Sequence, residues 1–199
     1  MKKQMMKTSV LAAVLLSMGM GMAHASGGAT VNVMATIGAA TCELDVKGDA
    51  TGTKGSYQLD MGRFGAADVQ TLQPAAPLSA KNIEVKLVKC GPQYGSTTGN
   101  KFKPTAAIEM NVFGQTIDTG KKIFNANPGA TAGVAVYHKS NAIASGDKIN
   151  LTDDKEIDFS QPLTEGKGMA AFKVALVSKS GVPAAQEVIA PVTFQVVYK

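Results

Sequence analysis

An all-β sandwich is the fold this sequence predicts, and three observations carry that expectation. Short segments with apolar residues at every second position recur from residue 29 almost to residue 199, separated by Gly, Pro, Asn and Ser clusters. The composition favours small and β-branched residues: there are 21 Gly and no Trp, and only 18% of residues are charged. Helical periodicity of any length is absent, and the one candidate helical turn lies around Ala66–Leu72, before Pro74 and Pro77.

The segments justify themselves in order. Lys2, Lys3 and Lys7 precede an apolar run from Val10 to Met22 and then Ala23-His24-Ala25. A positive n-region, an apolar h-region and an A-x-A site describe a secretory signal peptide over residues 1–25, with a weaker cleavage alternative at Gly21-Met22-Ala23. The run is short of the about 20 residues a spanning helix needs, so a retained anchor is the lesser alternative. Losing those three lysines takes the formal charge from +5 to +2. The remaining lysines are scattered, Arg63 is the only arginine, and no basic run is interleaved with aromatics, so nucleic-acid binding has no support.

After Ser26-Gly27-Gly28, a flexible start, the alternation Ala29, Val31, Val33, Ala35, Ile37 sets one apolar face at period two. Ser56–Met61 is a candidate strand ending at Gly62. Ile83, Val85 and Leu87 lead into Cys90; Ile108, Met110 and Val112 repeat the pattern, and Val134 and Val136 begin a run ending near Tyr137. Ile149–Leu151 follows a Ser145-Gly146-Asp147 turn, and Phe172, Val174 and Leu176 alternate next. Val192, Phe194, Val196 and Tyr198 then alternate to the end. An apolar strand at a terminus is unusual, and pattern alone fits an ordinary edge strand as well as anything sharper. Spacing of this kind points to a single sandwich domain.

Both cysteines, Cys42 and Cys90, lie beyond the leader. In an exported chain they are expected to form one disulfide, closing a loop of about 49 residues worth roughly 4 kcal/mol by chain-entropy arithmetic. Two cysteines do not complete a zinc site.

Catalytic chemistry finds little material. His138 is the only histidine outside the leader, with no G-x-S-x-G or H-E-x-x-H around it, and a solvated side chain is expected there. There is no P-loop and no G-x-G-x-x-G opening a helix. Asp153-Asp154-Lys155-Glu156-Ile157-Asp158 lacks EF-hand spacing and is expected to be a solvated acidic loop. Asn150-Leu151-Thr152 matches a glycosylation sequon weakly. The chain is not expected to be an enzyme, and no cofactor or metal is implied.

The ordered set of segments resembles a known family. Thr30-Val31-Asn32-Val33 running to Thr41-Cys42, Leu59-Asp60-Met61-Gly62, Ile83–Leu87 before Cys90, and Val112-Phe113-Gly114 with Ile117-Asp118 are its first parts. Gly133–Val136, Ile149–Leu151, Phe172–Leu176 and the closing Val192–Lys199 with its penultimate tyrosine complete it. Together they resemble structural pilins of the chaperone–usher pathway, near the major subunit of type 1 fimbriae. Met61 departs mildly from the Leu-Gly pair usual in the family.

The resemblance implies an incomplete immunoglobulin-like sandwich that lacks its last strand and carries an N-terminal donor-strand extension at residues 26–37, with the pilin domain at 38–199. It implies that Ala29, Val31, Val33, Ala35 and Ile37 face a neighbour's groove. Val192, Phe194, Val196 and Tyr198 are implied to line the acceptor groove and to bind a periplasmic chaperone first. Nine extended residues reach about 30 Å. Burying three branched aliphatics and two alanines is worth on the order of 5–10 kcal/mol before ordering costs.

The implied function is a structural subunit of an adhesive surface fimbria. Such a subunit polymerises by donor-strand exchange after its chaperone delivers it to an outer-membrane usher, with no membrane insertion of the mature chain. The implied partners are therefore other pilin subunits, the chaperone and the usher, and the implied location is the cell surface, reached through the periplasm. Alternatives are a minor or adaptor fimbrial subunit, or a small exported carbohydrate-binding β-sandwich with its own last strand.

Overall fold

The computed structural model describes residues 28–36, 42–53, 55–153 and 155–199. The segment expected to be a signal peptide with its expected cleavage site, Ile37 and Asp154 lie outside the described residues. The strands are β1 (Gly28–Thr36), β2 (Glu43–Gly48), β3 (Thr51–Thr53), β4 (Ser56–Arg63), β5 (Lys81–Lys89), β6 (Gly95–Thr98), β7 (Lys101–Pro104) and β8 (Ile108–Phe113). They continue as β9 (Ala132–His138), β10 (Asn141–Ala142), β11 (Lys148–Thr152), β12 (Ile157–Asp158), β13 (Thr164–Glu165), β14 (Gly168–Ser178) and β15 (Val188–Tyr198). The helical turn expected near residue 66 is one 3-10 turn, Ala66–Asp68, and the chain is already extended at Val69.

Two sheets face each other in an immunoglobulin-like β-sandwich. One runs in the order β11-β8-β15-β1-β4-β3; the other runs β10-β9-β14-β5-β2, with β13 beside β14. Each contributes its period-two apolar face. Leu59, Met110, Val112 and Phe194 meet Val85, Leu87, Val136 and Val174 in one core, and the Phe172 and Phe194 rings lie 5.2 Å apart across it. A small sheet, β12-β7-β6, closes one end. On the far side of β9 and β14, Tyr137, Ala135 and Val177 bury against Leu72, Ala76 and Ile123, so β9 is covered on both faces.

Cys42 and Cys90 are bonded. They sit where β2 and β5 begin and end their ladder, Glu43 opposite Lys89. Two glycines carry local necessity. Gly62 has φ +83° beside the register shift between β1 and β4, and its N–H is held by the Asp60 carboxylate at 2.8 Å. At Gly114 a Cβ would meet the Pro191 carbonyl oxygen and the Phe124 ring at 2.7 Å each, so only glycine lets the chain leave β8 this close to β15. Pro191 itself lies in a strand of the sheet interior, yet β8 ends at Phe113, opposite Thr193. There β15 has a ladder neighbour on its β1 side alone, which is where a strand tolerates proline.

Candidate functional site

The feature that sets this sandwich apart is the occupant of the position next to its C-terminal strand. β15 pairs with β8 on one side, and on the other with β1, from the opposite end of the chain. β1 runs parallel to β15, with Val31 opposite Ala190, Val33 opposite Val192 and Ala35 opposite Phe194. Its other edge pairs antiparallel with β4, Val31 against Leu59 and Val33 against Tyr57. A single N-terminal strand therefore joins two halves of a sheet that would otherwise end at β15 and at β4.

The groove is built by alternation. On β15, Val188, Ala190, Val192, Phe194 and Val196 point inward and are buried, while Ile189 and Gln195 face out. On β4, Tyr57, Leu59 and Met61 form the opposite wall. Val31 and Val33 fill the space between, 0% and 1% exposed, and Thr30 and Asn32 stay half-buried on the outer face. Removing two valines from water contributes about 3–6 kcal/mol, and β1 adds main-chain ladders on both edges.

Of the residues expected to form the donor face, Val31 and Val33 lie in the chain's own groove here. Ala29 and Ala35 are placed along the same strand, opposite Val188 and Phe194. Ile37 falls outside the described residues. The physical reason for occupation in cis is tethering: a segment joined to the same chain is at high effective concentration beside the groove.

Connectivity also dictates the direction. From Thr36 to Cys42 the chain spans at most about 21 Å when fully extended. The Cys42 amide lies at the Tyr198 end of β15, donating to the Tyr198 hydroxyl at 2.6 Å. β15 is roughly 33 Å long from Val188 to Tyr198. Antiparallel entry would leave Thr36 near Val188, beyond the reach of its own linker. In cis only the parallel sense is open; the antiparallel sense is open to another molecule.

Val192, Phe194 and Val196 line the groove as the alternation predicts, and Tyr198 ends the same face, half-buried. The Tyr198 ring lies flat on Tyr94, with centroids 3.7 Å apart and planes 9° apart, a contact worth about 1 kcal/mol beyond its buried area. Burial pushes the Tyr198 phenol up; the Cys42 amide opposes that shift, and Tyr94 adds a smaller push in the same direction as burial. Beyond it, the Lys199 N–H donates to the Ala107 carbonyl at 3.2 Å, and the Glu109 carboxylate sits between the Lys199 and Lys148 ammonium groups at 3.2 and 3.7 Å.

Sequence reasoning missed Tyr94 and the β4 wall. The signal for the wall was present, because Tyr57, Leu59 and Met61 alternate; nothing in the sequence pairs Tyr94 with a residue so far along the chain. Tyr57 also crosses the sandwich: its hydroxyl donates to Asp45 of β2 at 2.9 Å. Burial raises both groups, and the Asp45 carboxylate raises Tyr57 further. At Asp45 the Lys47 ammonium, 3.0 Å away, and the Tyr57 hydroxyl outweigh burial and hold the carboxyl below its ordinary range.

His138 departs from the solvated side chain expected of it. Its side chain is 13% exposed, with Nδ1 3.2 Å from the Ala171 carbonyl and Nε2 3.3 Å from Glu165, and the ring leans on Phe172. It shares the inward parity of Val134 and Val136 and stands opposite Phe172 in the ladder, which draws it under the end of the core. In the acidic loop, Glu156 pairs with Lys101 at 3.0 Å, Asp158 accepts from Ser160, and the Asn150 side-chain amide donates to Asp153. Among the described residues no His, Cys, Asp and Glu side chains gather as a metal site would require, and no helix is long and apolar enough to cross a membrane.

Compared with known proteins, the chain matches no family and no curated protein. Among solved structures it is similar to the P pilus rod subunit PapA in its crystal structure, at 14% identity and a TM-score of 0.38, covering 60% of this chain and 72% of that one. A likeness of that size is too slight to bear on function.

Proposed function

We propose that this chain is a structural subunit of a surface fimbria, assembled by exchange of an N-terminal strand between successive copies. The observation that carries this is β1: a segment near the N-terminus, not the C-terminal continuation of the chain, occupies the gap beside β15 and buries Val31 and Val33 there. A strand held by ladders and apolar side chains can be replaced by an equivalent strand from another molecule. The exchange has a direction built into it. The tether confines the resident strand to run parallel to β15 and antiparallel to β4, whereas a strand from a neighbour is free of that tether and can also enter in the reverse sense, antiparallel to β15 and parallel to β4.

The steps follow from the same geometry. A vacated groove would expose Leu59, Val192 and Phe194 to water and leave two strand edges unpaired, a surface prone to aggregate. A periplasmic chaperone lending a strand would protect it, and an outer-membrane usher would be the place where a neighbour's segment 26–37 replaces that strand. The product is a homopolymer at the cell surface. Deleting residues 26–37 and expressing the chain with its chaperone tests this: the chaperone complex should still form, and polymerisation should stop. Polymers of unchanged length from the deleted chain would contradict the proposal.

A further inference from the structure

The two ends of β15 are held differently. From Val188 to Gln195 the strand pairs with β1, which ends its described pairing with Thr36 opposite Gln195. Past that point β15 keeps its ladder with β8, Val196 to Tyr198 opposite Met110 to Ile108, and further fastenings among the described residues are added to it. The Tyr198 ring rests on Tyr94, its hydroxyl takes the Cys42 amide, the Lys199 amide takes Ala107, and the Lys199 side chain takes Glu109. Tyr94 is itself fixed: its carbonyl accepts both the Thr105 amide at 2.9 Å and the Thr105 hydroxyl at 3.1 Å, and its N–H donates to Gly91, next to the disulfide-bonded Cys90. The Cys42 amide belongs to the other half of that disulfide. The end of the groove strand is thereby held by β8 and clamped in addition to the covalent cross-link, and not by the strand that fills the groove.

We infer that Tyr94, Tyr198 and the Cys42 amide form a clasp that keeps the C-terminal end of β15 in register while β1 is out, so that an incoming strand meets a formed edge instead of a frayed one. A strand anchored at one end opens locally along its unsupported length while the anchored end stays closed. Tyr94 and Tyr198 are positioning residues in this arrangement, since neither touches β1 in the ladder. The inference deepens the assembly proposal and rests on it for its purpose, but the clasp can be read in one full-length chain with no second molecule present.

Native-state hydrogen exchange of the full chain by NMR reads it. Amides of residues 28–36 should exchange through smaller openings than those of 196–199, faster by about tenfold or more. Tyr94→Leu, which keeps apolar bulk and removes the stack, should speed exchange at residues 196–199 by about fivefold or more, short of the β1 rate because the β8 ladder remains, while leaving 28–36 within about threefold of the parent. Tyr198→Phe keeps the stack and removes the acceptor for the Cys42 amide, so it should give a smaller shift of the same kind; it also serves should the Leu variant fail to fold. Residues 196–199 exchanging together with β1 in the parent chain would overturn the clasp, and so would variants that leave those amides unchanged. Failure to polymerise with these rates as expected would instead remove the assembly proposal and leave the clasp standing.

Discussion

Val33 and Asn32 are neighbours in one strand with opposite fates, and the contrast measures how the groove is held. Val33 is 1% exposed between Val192 and Tyr57, while Asn32 lies on the outer face. Val33→Ala removes two buried carbons and should cost about 2 kcal/mol, lowering the melting temperature by roughly 4–8 °C for a domain of this size. Asn32→Ala should stay within about 0.5 kcal/mol. The Tyr57–Asp45 bond adds a pH dependence. Asp45 is lowered in the folded chain, so its contribution is complete above the ordinary aspartate range and is lost as pH falls through the lowered value. Melting temperatures from neutral to acid pH should therefore fall more steeply for the parent than for Asp45→Asn. At this scale the sequence revealed inward and outward parity well, because parity is local. It was silent on Tyr94 meeting Tyr198, and on His138 being drawn beneath the core, because those contacts are set by how distant strands align.

Among the strands, those with clean alternation were legible: β1, β4, β5, β8, β9, β11, β14 and β15 each carry an apolar row at period two. β2 was missed although Leu44 and Val46 alternate with Asp45 and Lys47, and β7 although Phe102 alternates with two lysines. Short charged strands carry few apolar residues, and their pairing comes from the neighbours. β15 also begins earlier than its pattern suggested, at Val188, because Pro191 interrupts the apparent alternation without breaking the inward row. The direction of β1 was not legible at all; it follows from the length of the segment between Thr36 and Cys42. Inserting ten Gly and Ser residues there should extend the linker's reach to over about 50 Å, enough for antiparallel closure in cis. Such a chain can close its own groove in either sense and is expected to be a poorer polymer former, by size-exclusion chromatography.

Across the whole molecule, the fold class was the most legible property and the state of the groove the least. A sandwich core needs only two apolar faces, which the sequence displays strand by strand. Whether the last place in a sheet is filled from within or from outside depends on competition between a tethered segment and a neighbour, and on their concentrations. The central claim is that the folding unit formed by residues 38–199 is one strand short and that an added strand of residues 28–36 completes it. Thermal melting of the chain from residue 38 onward, alone and with a synthetic peptide of residues 28–36 in excess, tests this most directly. The shortened chain alone should melt broadly and at low temperature, the peptide should restore a cooperative transition, and a peptide carrying Val31→Asp and Val33→Asp should not. A shortened chain that melts cooperatively at the temperature of the full chain, indifferent to the peptide, would contradict the claim.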